Sequence, residues 1–149
     1  MSFPEPVPGL VLRYAYLWRA EAERGRDEAI KDRPCVVVVA VRRLDERIRV
    51  YVAPITHSRP QGGTSALELP HPTKRRLGLD DEPSWIVTDE VNSFLWSGPD
   101  IRFIDDRQKD KGIAYGYLPH ALTERMLSAF REQVRSKRAA TVNRDEGSR

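Results

Sequence analysis

The stretch that decides the fold is Pro34-Cys-Val-Val-Val-Val-Ala-Val41. Its apolar residues, 35–41, are uninterrupted, which is typical of a β-strand that is covered on both faces. This run is the longest apolar run in the chain, and it is far shorter than the ~20 residues that a membrane-spanning helix requires. We therefore predict that it forms the central strand of a small sheet and that the chain has no membrane span.

Strand patterns lie on both sides of this run. Residues 10–18 are rich in β-branched and aromatic side chains and predict a first strand. After a turn at 44–47, Ile48, Val50 and Val52 alternate with other residues, which predicts a half-exposed strand. This strand and the central strand are expected to form a hairpin.

Shorter signals predict the rest of the fold. Pro54 is expected to end or bend the second hairpin strand close to Thr56. Residues 119–134 begin with a proline, which suits a first helical turn, and carry apolar side chains at helical spacing, so they predict a C-terminal helix packed on the sheet. Further expectations are a long charged, mobile loop at 19–33 whose first part can form a short helix, strands at 65–69, 85–96 with a kink near Asp89 and 113–117, and a helical turn or loop at 73–79.

Size and charge restrict the class of protein. With 149 residues, of which 40% are hydrophobic and 32% charged, the chain is expected to form one globular domain at 1–134 and a basic, flexible tail at 135–149. The formal net charge of +3 is compatible with a polyanionic partner. Because the N-terminus lacks the basic start and apolar stretch of a secretory signal, a cytoplasmic location is expected.

Common catalytic motifs are absent from the sequence. There is no P-loop, no GxGxxG, no GxSxG and no HExxH. His57, His71 and His120 are far apart and no CxxC pair exists, so neither a metal site nor a cofactor site is predicted. The single cysteine, Cys35, lies among valines and is predicted to be a buried core residue rather than a reactive thiol.

Three segments, in this order, carry a family resemblance. They are Glu28-Ala-Ile-Lys-Asp-Arg-Pro34 leading into the valine strand, Ala53-Pro-Ile-Thr-His-Ser58, and Trp85-Ile-Val-Thr-Asp-Glu-Val-Asn-Ser-Phe-Leu-Trp96. In order and spacing they resemble the motifs of the PemK/MazF toxins of type II toxin-antitoxin systems, over residues 8–134. The resemblance implies a mainly β fold with a C-terminal helix, namely a small SH3-like β-barrel of the CcdB/PemK type.

The same resemblance implies a function. It points to a homodimeric endoribonuclease that cleaves single-stranded RNA and is held inactive by a cognate antitoxin, which would act on the charged loop at 19–33. The arginine and threonine of the family's active centre correspond to Arg33 and Thr56. Val87 stands where some family members carry an arginine. The rival interpretation is a non-catalytic toxin on the same fold that poisons a DNA topoisomerase, as CcdB-like proteins do.

Metal-independent RNA cleavage needs groups that stabilise charge. The ribose 2′-hydroxyl attacks the adjacent phosphorus, and the guanidinium of Arg33 can stabilise the negative charge that builds up through paired hydrogen bonds. The alternative for Arg33 is a surface ion pair with Asp32 or Glu28. Thr56 can donate a hydrogen bond to a phosphate oxygen or to the attacking hydroxyl, or instead bond to its own backbone.

Two further residues are candidates for assisting the reaction. Histidine titrates near neutrality, which suits acid–base catalysis, but His57 reaches the Thr56 site only if Pro54 has ended the strand. The alternative is a plain surface histidine. Asp89 can orient Arg33 or bind a base edge, or it can be a partly buried structural carboxylate.

Candidate RNA contacts complete the predicted site. Lys31 and Ser58 belong to this group. Lys74, Arg75 and Arg76 form the densest internal basic cluster and can follow an RNA backbone, with a solvated loop as the alternative.

Overall fold

The computed structural model describes residues 3–25 and 31–145. This part of the chain forms nine β-strands, three α-helices and one short 3₁₀ turn. The strands are β1 Leu10–Ala15, β2 Asp32–Arg42, β3 Ile48–Thr56, β4 Ala66–Glu68, β5 Trp85–Val87, β6 Glu90–Leu95, β7 Ile101–Arg102, β8 Ala114–Tyr117 and β9 Ala140–Asn143. The helices are α1 Arg19–Glu23, α2 His71–Leu77 and α3 His120–Arg135, and the 3₁₀ turn is Lys109–Lys111. No helix in the described ranges is both long and apolar enough to cross a membrane.

β2 lies at the centre of the sheet, as its apolar run predicts. It pairs in antiparallel fashion with β1 on one side and β3 on the other, so that Val36 lies opposite both Val11 and Ala53. The outer edge of β3 pairs with β6 and β5, and the outer edge of β1 pairs with β8 and β7. The pairing path runs from β4 to β7 and does not close into a complete ring within the described residues. The prediction of a mainly β fold with a C-terminal helix is confirmed.

Two apolar cores lie on the two faces of this sheet. Successive residues of a strand point to opposite faces, so Val36 belongs to one core and Val37 to the other. α3 covers the first face, where Met126 is fully buried. On the second face the rings of Tyr14 and Phe94 stack with their centroids 4.8 Å apart. β2 is thus covered on both sides, which explains why its sequence is continuously apolar.

Cys35 is a fully buried member of the second core. Burial raises the pKa of its thiol well above the ordinary value, which keeps the sulfur protonated and unreactive. The prediction that Cys35 is a core residue is confirmed.

β3 passes through Pro54 before it ends. The strand continues through Pro54 and ends at Thr56, so the expectation that it ends or bends close to Thr56 is confirmed. On the outer edge, β6 pairs as far as Val52 and β5 takes over at Ile55, so Pro54 lies between the two partner strands. A residue without an N–H is tolerated at such an interruption of the ladder. The chain bends directly afterwards, at His57.

The other predicted elements are present with shifted boundaries. The first strand ends at Ala15, and the segment 85–96 divides into β5 and β6 at Asp89, where the sequence predicts a kink. α1 forms the first part of the charged loop, whose residues 26–30, including Glu28, lie outside the described part of the chain. The two-residue strand β7 has no counterpart in the sequence analysis.

The expectation of a flexible tail at 135–149 needs correction as far as residue 145. β9 pairs in parallel with β6. After it, Arg144 is 4% exposed, donates from Nη1 to the carbonyl oxygen of Ala15 at 2.8 Å and pairs through Nη2 with Asp100 at 3.1 Å. A basic composition predicts solvation only when the cations have no internal partners, and here Ala15 and Asp100, which are far from Arg144 in the sequence, supply them. Residues 146–149 lie outside the described range.

The substitution Gly9→Ala is expected to lower the free energy of unfolding by about 1–3 kcal/mol. Gly9 has a φ of +97°, and a Cβ atom there would lie 2.8 Å from Oγ1 of Thr123 on α3. Urea unfolding followed by circular dichroism would measure the change. Gly62→Ala is the matched control, because its Cβ would meet open space without a positive φ. Equal stability of the two variants would contradict this account of how β1 is joined to α3.

Candidate active site

A cleft of about 570 Å³ lies at the end of the sheet where β2 begins and β3 ends. The start of α1, the bend after β3 and the junction between β5 and β6 complete its walls. The predicted site residues that line it are Lys31, Arg33, Thr56, His57, Ser58 and Asp89. Motifs that are far apart in the sequence therefore meet in one place.

Arg33 enters the cleft from the beginning of β2. Its guanidinium carbon lies 5.1 Å from the centre of the Trp18 ring, which is a cation–π contact. Its Nε is buried without a hydrogen-bond partner among the described residues, and Asp32 pairs instead with Arg13 and Arg102. Burial lowers the pKa of Arg33 from its ordinary value. A half-buried cation in this state would gain from an anionic ligand.

Thr56 is the last residue of β3 and lies opposite Trp85 on β5. The residue is 9% exposed, and its Oγ1 accepts a hydrogen bond from the backbone N–H of Ser58 at 3.1 Å. The local backbone bond named as an alternative is therefore present. A hydroxyl that accepts one bond still has its own hydrogen to donate, so Thr56 can also serve a ligand in the cleft.

His57 lies at the bend and faces Asp80. Its Nε2 is 2.8 Å from Oδ2 and 3.1 Å from Oδ1 of that carboxylate. Asp80 also accepts hydrogen bonds from Nζ of Lys74 at 3.0 Å and from the backbone N–H of Glu82 at 3.1 Å. Although burial acts to raise the pKa of Asp80, these hydrogen bonds hold it below its ordinary value. The site therefore contains an imidazole–carboxylate pair.

Asp89 occupies the junction between β5 and β6. Its Oδ2 accepts a hydrogen bond from the backbone N–H of Ser65 at 3.3 Å, which is the contact expected of a structural carboxylate. Two residues earlier, Val87 is 6% exposed and lines the cleft. It contributes an apolar wall at this position.

Family membership follows from a comparison with known protein families. A model described as the PemK-like, MazF-like toxin of type II toxin-antitoxin systems matches residues 16–97, which is more than half of the chain. The chain belongs to the PemK/MazF toxin family. No curated protein and no solved structure matches it. The family resemblance of the sequence motifs is confirmed, and the matched residues include β2, β3, β5 and β6, which build most of the cleft.

Lys74 is buried and is not part of the exposed surface of this PemK/MazF toxin. Its side chain is 3% exposed, and Nζ donates to Oγ of Ser84 at 2.7 Å and to the carbonyl oxygen of Glu82. The prediction that Lys74 follows an RNA backbone needs correction, because these acceptors hold the ammonium inside the protein. Arg75 and Arg76 are exposed but do not line the cleft, so their RNA contact stays a prediction.

Glu90 is a cleft carboxyl that no sequence pattern distinguishes from its neighbour Asp89. Its Oε2 accepts hydrogen bonds from the hydroxyl of Tyr16 and the backbone N–H of Arg19, both at 3.0 Å. Burial raises the pKa of Glu90 above the ordinary value. A carboxyl group of this kind holds its proton to a higher pH, which is a property of general acids.

Other cleft residues of the PemK/MazF toxin lie outside all three motifs. The charged ones among them are Arg19, Arg59, Asp80 and Arg138. Arg138 follows α3 and lies beyond the family match, so only the tertiary fold brings it to the site. Within residues 3–25 and 31–145, no group of three His, Cys, Asp or Glu side chains is arranged to hold a metal ion.

Proposed function

We propose that this PemK/MazF toxin is a metal-independent, sequence-specific endoribonuclease that cleaves single-stranded RNA. One observation carries the proposal: Arg33 and Thr56, which come from two separate motifs, line the same cleft, and Nε of Arg33 is buried there without a hydrogen-bond partner among the described residues. The cation and the hydroxyl face a space large enough for a nucleotide.

The reaction begins when a ribose 2′-hydroxyl attacks the adjacent phosphorus. Negative charge then builds on the phosphoryl oxygens, and Arg33 is the cation that meets it. Because its guanidinium is held over Trp18 and partly out of water, it needs little rearrangement to do so. Thr56 donates its hydroxyl hydrogen to a phosphate oxygen and so fixes the phosphate beside Arg33.

The partners follow from the family. A toxin of a type II system has a cognate antitoxin, and we assign its action to the charged segment that begins at Arg19. Both ends of this segment reach the cleft, which is lined by Trp18 and Arg19 at the start and by Lys31 and Arg33 at the end. A protein bound to the segment would therefore block access to the cleft. Homodimer formation, RNA contacts by Lys31 and Ser58, and action in the cytoplasm belong to the same proposal.

The test is incubation of the purified protein with a long single-stranded RNA in the presence of EDTA. We expect discrete fragments with 2′,3′-cyclic phosphate and 5′-hydroxyl ends, and no cleavage where the nucleotide at the cut site carries a 2′-deoxy sugar. Absence of fragments from folded protein would overturn the nuclease proposal. That outcome would favour the alternative function, a non-catalytic toxin that poisons a DNA topoisomerase.

The substitution Thr56→Val is expected to lower kcat by about 10- to 100-fold. Valine keeps the shape of threonine and removes the hydroxyl, so the loss reports on the hydrogen bond to phosphate. Steady-state cleavage of a labelled oligonucleotide would measure it. Thr141→Val on β9 is the matched control, because Thr141 is exposed and outside the cleft. An unchanged kcat in Thr56→Val would show that the Thr56 hydroxyl only bonds to the Ser58 backbone and does not bind phosphate.

A further inference from the structure

We infer that Asp80 positions His57 as the proton-accepting group of this site, and that the buried Lys74 fixes Asp80 in place. The inference rests on the proposed ribonuclease function and names its base. Three segments supply the residues: Lys74 lies on α2, Asp80 in the loop after α2, and His57 in the bend after β3. Each contact between them is shorter than 3.2 Å.

Asp80 is held from several directions. The buried ammonium group of Lys74 donates a hydrogen bond to Oδ1, and the backbone N–H of Glu82 donates to the same oxygen. Oδ2 lies nearest to Nε2 of His57, at 2.8 Å. The rotation of the carboxylate is therefore restricted, and so is the ring that it faces.

The ion pair between Lys74 and Asp80 adds little to stability by itself. The Lys74 side chain is 3% exposed, whereas those of Asp80 and His57 are about half exposed, at 50% and 49%. Burying an ammonium group is costly, and ion pairs with exposed carboxylates return little stability. What the buried Lys74 achieves is a fixed orientation of Asp80 at the edge of the cleft.

The contact with Asp80 decides which nitrogen of His57 can take a proton. An ionised carboxylate only accepts hydrogen bonds, so Nε2 of His57 carries the hydrogen that it donates to Asp80. In the neutral ring the lone pair is then on Nδ1, which has no hydrogen bond to any described residue. Because His57 lines the same cleft as Thr56 and Arg33, this nitrogen is available to a substrate.

The step balances without a further reactant. The 2′-hydroxyl gives its proton to Nδ1 of His57 while the 2′-oxygen forms a bond to phosphorus. The bond between phosphorus and the 5′-oxygen breaks, and that oxygen takes a proton from water. His57 then returns its proton to the solvent. The products are the cyclic phosphate and 5′-hydroxyl ends of the proposed reaction.

The first experiment is a double-mutant cycle on RNA cleavage. His57→Ala is expected to lower kcat by about 100-fold, and Asp80→Asn by about 10-fold, with KM changed less than about twofold. In the His57→Ala background, Asp80→Asn should cause no further loss, because its effect passes through the imidazole. His71→Ala and Asp81→Asn form the matched control pair. Nε2 of His71 lies 4.0 Å from Oδ1 of Asp81, and both residues are exposed and outside the cleft.

A second measurement does not depend on the folding of Asp80→Asn. Imidazole added to the buffer should restore part of the activity of His57→Ala, because it can replace the missing base. It should not restore an Arg33→Ala variant. A merely structural histidine would show no such rescue.

The outcomes separate this inference from the proposed function. Equal losses from Asp80→Asn with and without His57, full activity of His57→Ala, or failure of imidazole rescue would overturn the inference. If wild-type protein cleaves RNA and Arg33→Ala does not, the proposed function survives such a result. If the wild-type protein cleaves no RNA, both fall.

Discussion

Arg33→Ala is expected to reduce kcat for RNA cleavage by about 100- to 1,000-fold, which is the usual effect of removing a preorganised donor from a developing oxyanion. The reason lies in the state of the side chain before substrate binds. Its Nε is buried without a hydrogen-bond partner among the described residues, and burial lowers its pKa. The phosphoryl oxygens of the transition state would supply the missing partner.

Arg33→Lys is expected to recover only a small part of the loss. Lysine keeps the charge but not the planar fork that meets two oxygens at once, and its ammonium does not stack on Trp18 in the same way. Arg125→Ala is the control, since Arg125 is an exposed arginine of α3 outside the cleft.

The folded state should tolerate Arg33→Ala. Removing a half-buried cation relieves its desolvation, so the free energy of unfolding is expected to stay within about 1 kcal/mol of the wild-type value. Single-turnover cleavage together with urea unfolding would separate the two effects. A kcat within twofold of wild type would show that the cleft does not use this cation.

Arg144→Ala is expected to lower the free energy of unfolding by about 3–5 kcal/mol, the range found when one partner of a buried ion pair is removed. The Arg144 side chain is 4% exposed, pairs with Asp100 at 3.1 Å and donates to the carbonyl oxygen of Ala15 at 2.8 Å. Without it, Asp100 loses a cation in a place where water has little access, since its side chain is 14% exposed.

Thermal unfolding would measure this loss as a fall in the midpoint of roughly 10 °C. Arg135→Ala is the matched control, because the Arg135 side chain is 74% exposed and pairs with Glu132 on the same helix, a contact worth less than about 1 kcal/mol. Midpoints that agree between the two variants would show that the segment after α3 contributes nothing to the stability of the sheet.

Local patterns predicted most of the fold. The central strand, the hairpin and α3 each show a hydrophobic pattern that lies within one segment. Such a pattern predicts the type of element and its buried side without any knowledge of distant residues. β9 could not be found in this way. Its pattern is short and polar at alternate positions, and it becomes a strand because the edge of β6 is available to it.

For the candidate site too, some residues could be predicted from local sequence and others could not. Arg33 and Thr56 were accessible through family motifs, and the structure brings both to the cleft. Asp80 could not be found through these motifs, because its contact with His57 depends on the path of the chain after α2. Lys74 was misassigned for a related reason: a cluster of basic residues shows charge but not which member a helix turns inward.

The hydrogen bond between Arg144 and Ala15 joins residues that are synthesised far apart in time. The first strand is completed by a side chain near the other end of the sequence, and Arg138 at the cleft is made only shortly before it. Domains generally fold as units while the chain emerges from the ribosome, and here the contacts of Arg144 with Ala15 and Asp100 form only after residue 144 has left the exit tunnel. The cleft and the sheet of this toxin therefore reach their full set of contacts only late in translation.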